Sequence, residues 1–325
     1  MNTAKVIFLA VVLHACSGVP AATQGRFEYV VAKDGSGDFR SVQEAVLACR
    51  DYSEREYTIR VRNGTYREKL VIPSWKARIT IVGEDVDSTS VTYDDYSGKI
   101  DSTGKKINTF TSYTCLVAGN NVRVENITFV NSAGRVGQAV ALHVEGDRCV
   151  FRNCRLIGNQ DTHLASGDNS RQYYCGCHIE GTTDFIFGAA TAFFENCTIV
   201  SKRNSYITAA STPAARQYGF VFLNCSLLSS DTAANRVFLG RPWRLYAYTA
   251  FVNCTMGGHI VPEGWHNWDK PECEKTARYS EFRSSGPGAN PGARVTWSRQ
   301  MTAEEAARMT AKNVLRGQDN WDPTQ

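Results

Sequence analysis

Between residues 124 and 256 a six-residue phrase alternates apolar and polar positions, and it returns several times. Its full copies are Phe151-Arg152-Asn153-Cys154-Arg155-Leu156, Phe194-Glu195-Asn196-Cys197-Thr198-Ile199, Phe222-Leu223-Asn224-Cys225-Ser226-Leu227 and Phe251-Val252-Asn253-Cys254-Thr255-Met256. Val124-Glu125-Asn126-Ile127-Thr128-Phe129 and Tyr174-Cys175-Gly176-Cys177-His178-Ile179 are degenerate copies. Measured at the asparagine positions (126, 153, 176, 196, 224 and 253), the copies lie 27, 23, 20, 28 and 29 residues apart. Alternation with period two is the pattern of a strand. A strand-rich repeat of this length, with no long helical period between copies, predicts the stacked coils of a solenoid. Each coil has room for two more short strands and their turns. The expected fold is therefore all-β, a right-handed parallel β-helix. A leucine-rich repeat is the competing solenoid, but its Leu-x-x-Leu-x-Leu consensus is absent.

A stack of coils needs covered ends. Ser41-Val42-Gln43-Glu44 has capping-box spacing and opens an apolar-faced stretch through Val46, Leu47 and Cys49, which predicts a short N-terminal capping helix. Thr302-Ala303-Glu304-Glu305 repeats the signature before Ala306, Met309, Val314 and Leu315, predicting a C-terminal helix on the solenoid's side or end. The polar run between Asp94 and Asn108 reads as a long loop, and loops on a solenoid face are where clefts are built.

The extreme N-terminus follows a different pattern. Lys5 precedes the apolar run Val6-Ile7-Phe8-Leu9-Ala10-Val11-Val12-Leu13, with small residues onward to Ala22. That order predicts a secretory leader over residues 1–22, cleaved somewhere between Ala15 and Thr23. Leu13-His14-Ala15-Cys16 also admits a lipoprotein reading, though His14 suits it poorly. Residues 23–325 are then expected to form one domain, secreted to the extracellular space, monomeric and without stable membrane association. Nothing but the leader, and so no inhibitory pro-domain, is expected ahead of it.

Composition narrows the function. With 42% hydrophobic and 21% charged residues the chain is neither disordered nor collagen-like. A net charge of +4, with no Lys/Arg run, disfavours nucleic acid as a partner. Of the eleven cysteines, Cys154, Cys177, Cys197, Cys225 and Cys254 share one column of the repeat. They read either as stacked small buried residues or as disulfide partners, with Cys49, Cys115, Cys149, Cys175 and Cys273 as further candidates. Neither Cys175-Gly176-Cys177 nor the six histidines make a zinc pattern, so no metal is expected. Asn-x-Ser/Thr triplets occur at Asn63, Asn126, Asn196, Asn224 and Asn253. Four fall inside the phrase, where an amide ladder is the expected role, leaving one or two for glycosylation.

Candidate chemistry lies in polar residues that break the repeat. Asp161, in Gln160-Asp161-Thr162, and Asp184, in Thr183-Asp184-Phe185-Ile186-Phe187-Gly188, are 23 residues apart, about one coil. Gln138 lies a further 23 residues back from Asp161. Coils stack at about 4.8 Å, so these groups are expected on neighbouring rungs of one face. Two close carboxylates push their pKa values apart, the condition for an acid beside a nucleophile. Amides nearby can donate to an oxyanion, and losing one such donor costs about 3 kcal/mol of transition-state stabilisation. Arg241 could hold Asp184 ionised, and Trp243 offers a flat apolar face. Each residue singly has a plainer reading: a turn aspartate, a polar ladder, a packed Arg-Pro-Trp corner. Spacing leaves both readings open. No Gly-x-Ser-x-Gly elbow, P-loop or dinucleotide fingerprint is present.

At these residues the chain resembles the pectin methylesterases. Gly64-Thr65-Tyr66-Arg67-Glu68 is similar to that family's Gly-x-Tyr-x-Glu motif. Gln138-Ala139-Val140-Ala141-Leu142, Gln160-Asp161-Thr162, Asp184-Phe185-Ile186-Phe187-Gly188 and Leu239-Gly240-Arg241-Pro242-Trp243 match the other four motifs in order. The resemblance runs from about Tyr29 through Gly286-Pro287-Gly288. It implies that Asp184 is the nucleophile on methyl-esterified galacturonate in homogalacturonan. It implies that Asp161 is the acid, then the base, and that Gln160 stabilises the transition state. Gln138, Arg241, Trp243 and Thr109 are implied to bind substrate, with no cofactor. Many members read Tyr-Gln-Asp-Thr-Leu-Tyr; here Asn159 precedes Gln160 and His163-Leu164-Ala165 follows Thr162, so two groove rings are absent. The alternatives are a catalytically silent polysaccharide-binding β-helix and a chain-cleaving polygalacturonase or pectate lyase.

Overall fold

The computed structural model describes residues 27–325; the expected leader and Cys16 lie outside the described residues. Three parallel sheets run along one axis, with 11 strands in sheet A, 8 in sheet B and 7 in sheet C. One coil comprises Cys149–Arg152 in sheet A, Arg155–Ile157 in sheet B and His163–Ala165 in sheet C. The next comprises Arg171–Cys175, His178–Gly181 and Ile186–Gly188. Phe151 pairs with Tyr174, Leu156 with Ile179 and His163 with Ile186, so each turn of chain lies in register on the last. This is the expected right-handed parallel β-helix. No helix among the described residues is long and apolar enough to cross a membrane.

The repeated phrase spans the corner from sheet A to sheet B, and each of its positions has a distinct physical job. Its aromatic residue points inward. Phe151, Tyr174, Phe194, Phe222 and Phe251 form a continuous stack with ring centroids 5.0, 4.7, 4.5 and 4.6 Å apart. Burial of each ring contributes about 2–3 kcal/mol, and each stacked pair about 0.5–1.5 kcal/mol more. The cysteine also points inward: all five of the column are at most 1% exposed. The ten described cysteines are all free thiols, so the column is a stack of small buried groups without a disulfide.

The asparagine column is not the expected continuous amide ladder. One amide–amide bond is present, from Asn153 Nδ2 to Asn126 Oδ1 at 2.8 Å. What the column shares throughout is backbone: Asn126, Asn153, Asn196, Asn224 and Asn253 have φ between +47° and +56°. The degenerate copy has Gly176 there, at φ +63°. The corner demands a left-handed residue, and glycine and asparagine are the residues that adopt it most readily.

Helix α1 (Val42–Ala48) closes the N-terminal end behind a complete Ser41/Glu44 capping box. The Glu68 carboxylate accepts from the Val42 and Gln43 N–H groups at 2.9 and 2.8 Å, which ties the Gly64–Glu68 motif to the cap. The expected single C-terminal helix is instead two short ones, α2 (Ala303–Ala307) and α3 (Ala311–Leu315). Thr310 caps α3 by accepting from Asn313 N–H, which starts a new helix rather than extending the old one. Met309, Ala311, Val314 and Leu315 cover the outer face of sheet A against Val150, Tyr173, Phe193 and Val221. The stretch from residue 94 to 108 is the expected loop, closed by an Ile100–Lys106 bridge and tied to the Gln138 carbonyl by the Ser97 N–H.

Candidate active site

The chemistry gathers on the outer face of sheet C. Along its centre Val140, Leu164, Phe187 and Ala209 point outward from successive coils and make an apolar floor. Tyr113, Trp243 and Trp268 pack against that floor. Above it lies a cavity of about 250 Å³ whose lining includes Thr109, Gln138, Gln160, Asp161, Asp184, Arg241 and Trp243. All seven residues singled out in the sequence therefore meet in one place. Four further lining residues escaped the sequence reading: Phe110, Phe187, Ala209 and Trp268. Phe110 follows Thr109 directly and Phe187 lies inside the Asp184–Gly188 motif, so proximity to matched residues was the available signal for these two; Trp268 and Ala209 lie outside every matched motif.

Coil register explains the convergence. Asp161 stands two residues before His163, and Asp184 two residues before Ile186, the paired strand residues of consecutive coils. Gln138 bridges in parallel to Gln160, and the Ala139 N–H donates to the Gln160 carbonyl at 3.1 Å. Both aspartates adopt left-handed backbone, φ +65° at Asp161 and +50° at Asp184. Such conformations are costly for most residues and tolerated by aspartate and asparagine. They are held by strong neighbours: Asp161 N–H donates to the Thr183 carbonyl at 3.0 Å and Asp184 N–H to the Tyr206 carbonyl at 2.9 Å. The adjacent Thr162 is wholly buried, its hydroxyl within bonding distance of the Asn159 and Glu180 carbonyls.

The two carboxylates are 7% and 6% exposed, yet their surroundings differ. Arg241 grips Asp184 with both arms, Nε to Oδ1 at 2.9 Å and Nη2 to Oδ2 at 2.6 Å. Burial raises the Asp184 pKa above the ordinary value, and the bonds and charge of Arg241 oppose that rise. Asp161 is raised well above its ordinary value, first by burial and then by the Asp184 charge, with Arg241 only partly offsetting both. The pair is thus asymmetric: burial and the neighbouring charge push Asp161 furthest toward its protonated form, whereas the Arg241 fork counters the rise at Asp184. Two carboxyls on adjacent rungs with unlike surroundings and two amide side chains alongside have the geometry that acid–base and nucleophilic chemistry requires.

Aromatic rings wall the cavity. Trp243 stacks on Phe110 at 6.5 Å and tilts against Phe187 at 5.9 Å. The short helical turn Thr109–Thr111, capped by Asn108, delivers Phe110 from the long loop. The base of that loop is pinned by Asn131, whose amide nitrogen bonds the Asp95, Ser112 and Val140 carbonyls. Flat apolar walls beside a buried acid pair suit a sugar ring carrying an ester.

Comparison with known proteins agrees with this geometry. The sequence model described as Pectinesterase matches residues 28–318. Pectinesterase 31 of Arabidopsis thaliana is 38% identical over 283 residues, covering 85% of this chain and 88% of that protein. The chain spans about half the length of a matched pectinesterase/pectinesterase inhibitor protein of Brassica napus, at 36% identity over 301 residues. Among solved structures, the pectin methylesterase from carrot superposes with a TM-score of 0.84 at 32% identity, covering 92% of this chain and 96% of that one. A pectin methylesterase in complex with a hexasaccharide superposes with a TM-score of 0.78 at 28% identity, covering 91% and 98%. With a family match over residues 28–318, relatives above 30% identity along most of the chain and the same fold, the chain belongs to the pectinesterase family.

Proposed function

We propose that the protein is a pectin methylesterase that hydrolyses the C6 methyl esters of homogalacturonan to pectate and methanol. The observation that carries this reading is the asymmetric carboxylate pair. Asp184 is gripped by a bidentate arginine that counters the upward push of burial, and Asp161, one coil away, is pushed well up by burial and by its neighbour's charge, which favours Asp184 as the carboxylate and Asp161 as the acid. An ionised carboxylate attacks the ester carbonyl carbon. As the C–O bond to the methoxy group breaks, Asp161 gives its proton to the departing methanol. The product on the enzyme is an anhydride between Asp184 and the galacturonate carboxyl. Asp161, now a carboxylate, takes a proton from water as that water attacks the anhydride, which regenerates Asp184 and frees the acid. The Gln138 and Gln160 side-chain amides donate to the oxyanion of each tetrahedral intermediate. Trp243 and Phe110 offer stacking faces to the sugar, and Thr109 borders them.

The polymer implied as substrate is compatible with an open, walled groove on sheet C. The hexasaccharide complex of a related pectin methylesterase supports a saccharide occupant there. The leader over residues 1–22 would export the remaining domain, 23–325, to the extracellular space as a monomer, where cell-wall pectin is found. One assay tests the reading. Methylated and demethylated pectin are offered, and methanol and reducing ends are followed together. Methanol from the methylated polymer alone, with no new chain ends, is the expected result. Reducing ends or unsaturated products would mean a chain-cleaving enzyme, and no product at all would mean a binding protein.

A further inference from the structure

Arg241 and Asp184 lie on coils that are not neighbours. In sheet C the strand Phe238–Gly240, which leads to Arg241, pairs with Tyr206–Ala210, and that strand pairs with Ile186–Gly188, which follows Asp184. Two coil steps separate the partners, about 10 Å of backbone. The guanidinium must cross the intervening coil, and the residue it crosses is Tyr206.

The crossing is enclosed by rings. The Arg241 guanidinium carbon sits 4.0 Å from the centroid of the Tyr206 ring and 3.7 Å from that of Trp268. Lys270 lies 4.7 Å from the Trp268 centroid. The Tyr206 ring is itself propped from behind, stacked on Phe238 at 5.4 Å and edge-on to His266 at 5.4 Å. His266 also accepts the Trp268 N–H at Nδ1, 2.9 Å, in a turn where Trp268 and Asp269 both have left-handed backbone. The main chain adds a second link, since the Tyr206 carbonyl accepts the Asp184 N–H. One residue therefore touches both members of the ion pair, its partner's backbone on one side and the guanidinium face on the other.

We propose that Tyr206 is a positioning residue for the reaction, its ring serving as the floor that holds the Arg241 guanidinium in plane with the Asp184 carboxylate. A planar fork delivers two parallel hydrogen bonds only when its plane is set, and a ring face on each side sets it. The Tyr206 hydroxyl makes no hydrogen bond among the described residues, so the ring and not the polar tip carries the role. This inference rests on Asp184 acting as the nucleophile.

The test compares Tyr206→Phe with Tyr206→Leu. The phenylalanine variant keeps the floor and is expected to match the parent. The leucine variant loses the floor and should lose about ten-fold in kcat/KM, the scale of a desolvated cation–π contact. Its acid limb should move upward by about half to one pH unit, because a loosened Arg241 no longer offsets the burial of Asp184. The ionisable groups that face this carboxylate are Asp161, Arg241 and, from the interior, Tyr279; His266 and Lys270 stand behind the aromatic pair. None of these is altered in either variant. An active leucine variant with an unmoved acid limb overturns the proposal, and so does a phenylalanine variant that behaves like leucine. Should the leucine variant not fold, Tyr206→Ile, a strong strand former without a ring, carries the same readout. A parent enzyme that releases no methanol would sink the esterase reading instead, so the two failures are distinct.

Discussion

Asp161 and Asp184 occupy the same place on consecutive coils, two residues ahead of paired strands, and both hold left-handed backbone; only Asp184 carries a guanidinium. Repetition supplies the proximity, and one arginine from a later coil supplies the difference. A stack of equivalent coils brings two carboxyls close with no special loop. Their division of labour is then set by what each one faces.

Replacing either carboxylate should stop turnover while leaving the stack intact. Asp184→Asn removes the proposed nucleophile and Asp161→Asn removes the proposed proton donor and base, so each should lower methanol release by at least about 10³-fold. Their effects on stability should diverge from those of alanine. Asparagine tolerates the left-handed backbone at both positions and alanine does not, so Asp184→Ala should melt lower than Asp184→Asn. Asp161→Asn should melt above the parent at neutral pH, because a buried carboxyl with a raised pKa costs stability once the unfolded form is ionised. Calorimetry alongside the methanol assay checks all three.

The glutamines should act on the transition state more than on binding. Gln138→Ala and Gln160→Ala are each expected to lower kcat by about 10²–10³-fold, roughly 3–4 kcal/mol of lost oxyanion stabilisation. A change confined to KM would reassign either residue to substrate binding. Steady-state kinetics on methylated pectin separates the two outcomes.

Acid should destabilise the fold through two buried histidines. His143 and His163 have pKa values lowered to about 4, chiefly by burial, from an ordinary 6.5. Between about pH 6.5 and 4 the unfolded chain takes up protons there and the folded chain does not. Stability from these groups is therefore complete above 6.5 and falls as pH drops, by up to about 1.4 kcal/mol per pH unit for each. Asp161, Asp184 and Glu68, with raised values, push the other way, so a difference measurement isolates the effect. His163 points into the coil with Nδ1 on the Leu142 carbonyl at 3.1 Å and Nε2 without a partner among the described residues. The melting temperature of His163→Leu should gain on the parent progressively from pH 7 to pH 5. A constant offset across that range would contradict the linkage.

The corner column should discriminate by backbone rather than by hydrogen bonding. Asn224→Gly should be nearly neutral, whereas Asn224→Ala should cost about 1–2 kcal/mol for a left-handed β-carbon. Equal losses would favour the amide-ladder view. In the adjoining aromatic stack, Phe194→Ala should cost about 3–5 kcal/mol, since it opens a cavity between two stacked rings. Urea denaturation measures both.

The thiol column gives a count. In denaturant without reductant, all ten described cysteines should react with a thiol reagent, and the native protein should protect nearly all of them, as nine are buried. A shortfall in the denatured count would reveal disulfides.

Much of this was legible in the residues alone. The phrase around Phe151-Arg152-Asn153-Cys154 predicted strands, coils and their stacking, because a side chain's inward or outward direction follows directly from period two. Capping boxes at Ser41 and Thr302 marked helix starts, because those bonds are local. The 23-residue spacing of Gln138, Asp161 and Asp184 predicted one face, because coil length converts sequence distance into a short step in space.

What sequence could not reach depends on contacts between distant segments. That the Arg241 guanidinium sits within 4.0 Å of both the Tyr206 and Trp268 ring centroids while gripping Asp184 requires three coils and a later turn to meet. The asparagine column looked like an amide ladder because a left-handed corner leaves no mark in a single sequence beyond Asn and Gly. The break between α2 and α3 arises where Thr310 caps a second helix and Met309 packs onto sheet A. The residue pattern by itself determined the coil and the rung on which each polar group stands. Only the folded stack decided which of two equivalent aspartates receives the guanidinium, because burial and an arginine from two coils away act through space and not along the chain.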